Sequence, residues 1–227
     1  GTNAFKGVIN IITKNRQNQI TFGTRTGQYG LISNYGFAGI KQGIFSGLLS
    51  ASRNASKGYT DNTDFLINNY YFQGGITHKL INFEVQAGLN RKKFGANNFY
   101  SPSFPWQYEE TGTRFGSFNL NTNGKTKIKV TGFVRSHDDH FLLDRYTPVF
   151  YENFHLNNSY GLTFNAGFNM LAGKASVGII ERVETIKSTS LGDPLAKPVS
   201  VRGSDTMHYR KGYRRYSHNF YLDQKYE

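Results

Sequence analysis

The feature that most constrains this chain is an alternation of apolar and polar residues with a period of two. In NFEVQAGLN, Phe83, Val85, Ala87 and Leu89 share one side, while Glu84, Gln86, Gly88 and Asn90 share the other. YGLTFNAGFNM repeats the pattern, with Tyr160, Leu162, Phe164, Ala166, Phe168 and Met170 set against glycine, threonine and asparagine. TKIKVTGFV sets Ile128, Val130 and Val134 against Lys127, Lys129 and Thr131. Successive side chains of a strand point to opposite faces, so each such segment is a strand with one apolar and one polar face. No segment sustains the i, i+3, i+4 stripe of an amphipathic helix, and the chain reads as all-β.

The predicted strands are long. They fall near 18–28, 30–41, 43–54, 62–78, 82–95, 107–122, 125–137, 158–170, 174–189 and 209–225. Ordinary globular strands run about five or six residues, whereas a strand crossing a bilayer needs about 9–11. The links also alternate. KQG, KLIN, NG and LAG are tight turns, and the segments 55–61, 96–106, 138–157 and 190–208 are long. QYG, the first link, is short where a long one is expected. Tight turns at one end and long loops at the other are the habit of membrane barrels. The expected architecture is an antiparallel up-and-down transmembrane β-barrel. Its polar face would line a wet or plugged interior and its apolar face would meet lipid. Strands 43–54 and 62–76 carry apolar residues on both faces, as contact with a plug would require.

Composition narrows the alternatives. Aromatics make up 15% of the residues, which is foreign to disordered chains. There is no cysteine, so no disulfide framework and no thiolate metal site. No run of about 18 apolar residues offers a membrane helix, which leaves a β-barrel open. A formal charge of +12 suggests nucleic acid at first sight. On the strand map, however, the arginines sort to the long-loop end, with only Arg16 at the other, and no nucleic-acid partner is expected. Arginine pairs bidentately with phosphate, so Arg91 and Arg114 are candidates to face lipopolysaccharide phosphates, and an arginine-rich rim could instead steer an anionic cargo into the mouth.

The first residues, GTNAFKGVINIITK, differ from the later strands. Val8, Ile9, Ile11 and Ile12 form an apolar run broken only by Asn10, the pattern of a strand buried on both faces. Gly1, Ala4, Phe5, Gly7, Val8, Ile9, Asn10, Ile11, Ile12, Thr13 and Lys14 resemble the end of the plug domain of TonB-dependent outer-membrane receptors. Lys6 stands where that family usually has the first of two glycines. The resemblance assigns Gly1, Ala4, Gly7, Asn10 and Thr13 to the plug motif. It divides the chain into a plug end (1–15) and the N-terminal part of a barrel (16–227). It also implies a closed barrel of about 22 strands, of which ten lie here. Both ends are therefore expected to be truncated, with a Ton box upstream. The implied partners are the TonB energy-coupling complex and a surface lipoprotein capping the mouth. The implied activity is transport from the bacterial outer membrane to the periplasm rather than catalysis, without a resident cofactor.

A second stretch, FGANNFYSPSFPWQYEET, is similar to the third long loop of cobalamin-receptor-like members from Bacteroidetes. It points to vitamin B12 or another corrinoid as cargo, with a siderophore, haem or glycan as alternatives. Asn97, Asn98, Phe99, Tyr100, Trp106 and Tyr108 are the expected substrate contacts, since exposed aromatics at a barrel mouth can stack on a ligand. Packing among the loops or an aromatic girdle would use the same residues.

Two further clusters carry chemistry. HDDH (His137, Asp138, Asp139, His140) has residue types that bind a divalent cation or act as acid and base. That motivates a barrel enzyme as the alternative function. Consecutive strand residues diverge, however, so the four converge only if a loop bends them together; a solvated loop is the expectation. Asp61 and Asp64 could serve calcium in the outer loops. NGKT and LAGKAS lack the earlier glycine of a phosphate loop and are read as turns. No nucleophile elbow is present, and no metal site is assigned.

Overall fold

The computed structural model describes residues 18–170 and 173–226. The plug motif, Gly1, Ala4, Gly7, Asn10 and Thr13, lies outside the described residues, as do Leu171 and Ala172 of the LAG turn. What is described is a single antiparallel sheet of 11 strands. In chain order these are β1 (Gln19–Thr26), β2 (Ile32–Gln42), β3 (Phe45–Ser56), β4 (Phe65–Thr77), β5 (Ile81–Gly95) and β6 (Tyr108–Thr122). They continue with β7 (Lys127–Leu142), β8 (Glu152–Met170), β9 (Gly173–Ser188), β10 (Asp193–Ser200) and β11 (His208–Lys225). Strands β1 to β9 pair in sequence, β11 then pairs with β9, and β10 lies at the edge beyond β11. Among the described residues the sheet is open, with β1 at one edge and β10 at the other.

The up-and-down order comes from the turns. Gly43, at φ 57°, turns β2 into β3, a left-handed conformation that glycine adopts without steric cost. The long links 57–64, 96–107, 143–151 and 189–207 all leave from the opposite end of the sheet. The link between β1 and β2 is a short 3-10 turn, Gln28–Gly30, as its sequence indicates.

Two expectations about the strands need correction. Among the described residues there are 11 strands rather than ten, because Asp193–Ser200 pairs with β11 inside the predicted loop 190–208. The predicted loop 138–157 is mostly strand. Strand β7 runs through His137–His140 to Leu142, and β8 begins at Glu152. Charged residues stay in the strand there because both neighbours supply a ladder: Asp138 pairs with Gly112 on β6 and with Leu156 on β8. Backbone pairing on two sides outweighs the weak strand preference of Asp and His.

Register fixes the faces. One row runs Ile20–Ala38–Leu49–Phe72–Ala87–Gly116–Val134–Tyr160–Val183–Tyr216 across β1 to β9 and β11. Another runs Phe45–Ile76–Phe83–Leu120–Val130–Phe164–Ile179–Phe220. These rows form an apolar belt, and its large side chains are in the open: Phe22 is 75% exposed, Leu49 60% and Phe220 74%. Leaving such a side chain in water forgoes roughly 1.5–3 kcal/mol each. On β8 the belt extends from Tyr160 to Met170, about 33 Å along the strand at about 3.3 Å per residue.

The opposite face carries Ser52, Asn69, Asn90, Thr113, Asn119, Thr131, Asn157 and Asn165. Many bond across strands, as Thr131 Oγ1 does to Asn119 Oδ1 at 2.8 Å. Glycines on this face make room for aromatic rings from the next strand. A Cβ on Gly178 would collide with the Tyr221 ring, whose hydroxyl crosses that glycine to reach Asn165.

Candidate functional site

The loops at the long-link end pack into one body, and Asn62 is its tie. Asn62 is buried with φ 54°, a left-handed geometry that asparagine tolerates. Its Nδ2 donates to the carbonyls of Pro105 at 2.8 Å and Gln107 at 2.6 Å. Its Oδ1 accepts from Arg145 Nη1 at 2.9 Å. The Arg145 guanidinium also grips Asp64 through both nitrogens, lies 4.2 Å above the Tyr108 ring, and its backbone amide donates to the Trp106 carbonyl at 2.9 Å. The hydrogen bond to Asp64 raises the pKa of Arg145 above its ordinary value, so the guanidinium stays charged. One arginine and one asparagine thus join 57–64, 96–107 and 143–151.

The six expected cargo contacts divide into two groups. Trp106 packs edge-on against Tyr146 at 5.3 Å, Tyr108 sits beneath Arg145, and Asn97 donates to the Asp61 carbonyl at 2.7 Å. These three hold loop to loop. Asn98, Phe99 and Tyr100 are exposed at the tip. Phe99 stands edge-on to Tyr100 at 4.8 Å, and the Tyr100 hydroxyl donates to Glu109 Oε2 at 2.6 Å. Burial first, then Glu109, raises the Tyr100 pKa. Tyr146, Val149, Phe150 and Tyr151 add exposed apolar surface from the neighbouring loop. Gln107, which had no expected role, is fully buried; its Oε1 accepts from the Tyr100 amide at 3.0 Å while its Nε2 has no partner.

The strand register splits HDDH. His137 and Asp139 fall on the polar face, and Asp138 and His140 on the other. Asp138 pairs with Arg114 at 3.3 Å. His140 pairs with Glu152 at 2.9 Å and stacks on Phe154 at 4.0 Å. The solvated-loop expectation is therefore replaced by a strand with two separately partnered faces. Asp64 is committed to Arg145, and among the described residues no group of three or more His, Asp or Glu side chains could hold a metal ion.

On the polar face, Asp139, His155 and Ser188 stand in one register row on β7, β8 and β9. The order evokes a hydrolytic triad, and His155 Nδ1 is 2.8 Å from Ser188 Oγ. The oxygen, however, also accepts the amides of Ser190 at 2.9 Å and Leu191 at 2.7 Å. A hydroxyl oxygen has two lone pairs, and here both are engaged. Ser188 is also fully buried, so it caps the end of β9 rather than attacking a substrate.

Arg91 and Arg114 lie on the apolar face, at the border where the belt gives way to charge. Arg53, Lys93, Lys187 and Arg214 occupy the same border on β3, β5, β9 and β11. Comparison with known proteins finds no matching family model, no matching curated protein and no matching solved structure.

Proposed function

We propose that this sheet is part of the wall of a bacterial outer-membrane β-barrel that works as a TonB-dependent import receptor. The observation that carries the reading is the exposed apolar belt on one face, bordered on its loop-end side by arginine and lysine. Lipid is the solvent that makes such a belt favourable, and lipid phosphates suit the border. The polar face then faces the interior, where water or a plug satisfies its amides. Both sheet edges must be paired by further strands, because unpaired backbone groups are excluded from hydrocarbon.

The import role rests on the resemblance of residues 1–14 to a plug end, and the cargo, a corrinoid, on the resemblance of 94–110. The exposed tip of Asn98, Phe99 and Tyr100, beside Tyr146 and Phe150, is the surface offered to cargo or to a capping lipoprotein. The test is uptake of cobalamin by cells making the full-length protein, with and without the inner-membrane energy coupler. Coupler-dependent uptake is expected. Uptake that is equal in both strains overturns the energised mechanism, and coupler-dependent uptake of a siderophore, haem or glycan instead of cobalamin overturns the cargo.

A further inference from the structure

The polar face carries a charge cluster that the argument so far has not used. One register row crosses β7, β8, β9 and β11 as Arg135–Ser159–Glu184–Arg215. Arg182 lies two residues from Glu184 along β9 and therefore on the same face. The same-face rows on either side of these strands' middle row hold no other acid. Arg135, Arg182, Glu184 and Arg215 all line one cavity of about 410 Å³, and Glu184 is the one acid that lines it.

That single carboxylate is already shared. Arg182 Nη2 lies 2.8 Å from Glu184 Oε1, and Arg215 Nε donates to Glu184 Oε2 at 2.9 Å. Arg135 has no hydrogen bond or ion pair with any described residue. One negative charge therefore answers three positive ones. Like charges around one cavity repel, and an oxyanion relieves the repulsion by accepting hydrogen bonds from several guanidiniums at once. The two existing pairs are partly exposed and of small worth, so Glu184 is a rival that a ligand can displace. The cavity also has an apolar wall, the ring of Phe133. That ring lies over Gly161, the register neighbour of Arg182, where a Cβ would collide with it. A bare glycine thus lets a flat ring lie beside the arginines, and such a ring can stack on another.

We infer that this cavity binds a small molecule with a phosphate or carboxylate attached to a ring. The oxyanion sits on Arg135, Arg182 and Arg215, and the ring on Phe133. The volume suits one such molecule, since ligand pockets begin at about 300 Å³. Convergence of the arginines on a single cavity, rather than a line of charge along the strands, favours it over an acidic chain segment. The site is on the face opposite the apolar belt. That it opens into a barrel interior rests on the membrane reading above; its binding chemistry does not.

The test is titration calorimetry of the full-length protein in detergent with phenyl phosphate, inorganic phosphate and the neutral phenyl glucoside. Phenyl phosphate is expected to bind more tightly than either of the others. The double variant Arg135→Gln/Arg182→Gln is expected to weaken it about tenfold or more. Glu184→Gln, which removes the internal rival, is expected to bind it more tightly, a gain that a misfolded variant cannot give. Glu181→Gln, the same change of charge on the opposite face, is expected to leave binding unchanged. No binding by the wild type, equal binding by the double variant, or equal gains from Glu184→Gln and Glu181→Gln overturns the site. Phenyl phosphate held no better than inorganic phosphate overturns the ring-bearing ligand. A protein that stays monodisperse without detergent overturns the membrane reading, whereas a detergent-requiring protein that binds no phenyl phosphate overturns only the site.

Discussion

The two faces of this sheet share every backbone hydrogen bond and differ in everything else. On one, Ile20, Leu49, Phe72, Val134 and Tyr160 stand exposed in a row. On the other, one residue along each strand, serine, threonine and asparagine bond to one another across the ladder. A soluble sheet buries its apolar face against a second layer. Among the described residues there is no second layer, and of the few buried apolar side chains Ala96, Leu142, Val201 and Tyr209 sit toward the loop end, with Ala175 near a short turn. The difference teaches that the apolar face is finished by its surroundings, while the polar face is finished by its own side chains.

The sharpest way to break that comparison is to put the same charge on each face. Phe164→Arg, in the belt, is expected to cost about 2–4 kcal/mol in lipid vesicles. Thr163→Arg, its neighbour on the polar face, is expected to cost under about 1 kcal/mol. Urea unfolding of both variants checks this, and equal costs would remove the assignment of faces. Packing gives a second contrast. Gly178→Val drives a side chain into the Tyr221 ring and is expected to cost about 1–3 kcal/mol. Gly116→Ala, where the nearest atom would be 3.7 Å away, is expected to change stability by less than about 0.5 kcal/mol. Thermal unfolding of the two separates a glycine covered by a neighbouring ring from one with open space beside it.

The loop end can be tested in the same paired way. Asn62→Ala removes a donor from the Pro105 and Gln107 carbonyls and an acceptor from Arg145, which keeps Asp64, and is expected to cost about 1–3 kcal/mol, with faster proteolysis within 96–107. Asn98→Ala has nearly the same φ but is exposed, so it isolates the backbone strain, about 1 kcal/mol. The smallest effect concerns a hydrogen-bonded polar pair that interrupts the belt, Glu181 with His218, in register beside Leu162. Replacing both with leucine is expected to be neutral or to stabilise by about 1 kcal/mol in lipid. A clear loss of stability in vesicles would mean that this part of the belt faces something polar.

Much of the fold was legible in the alternation. Phe83, Val85, Ala87 and Leu89 could be placed on one face without any partner strand, because the period of a strand is two. HDDH was not legible as strand, since its ladder is supplied by Gly112 and Leu156, 26 and 18 residues from Asp138 in sequence (138 − 112 and 156 − 138). The loop tie was hidden for the same reason: Arg145 meets Asn62 and Asp64 across more than 80 residues, and nothing near either end announces it. Phe99 and Trp106 share one loop and one chemistry in the sequence. Only packing shows that Trp106 rests on Tyr146 while Phe99 faces outward.

The sequence by itself determined most of the strands, though not β10 or the run of β7 through His137–His140, and with them the two chemical faces, the tight turns and the end from which the long loops leave. These depend on local rules, the two-residue period and the freedom of glycine at positive φ, which need no distant partner. The tertiary structure decided the register, and through it which polar side chains meet across the ladder, as Thr131 and Asn119 do. It also decided that Ser188 caps a strand and that Asn62 ties three loops together. Those outcomes depend on which strand lies beside which and how far each is shifted, and a shift of one residue would move every side chain to the other face.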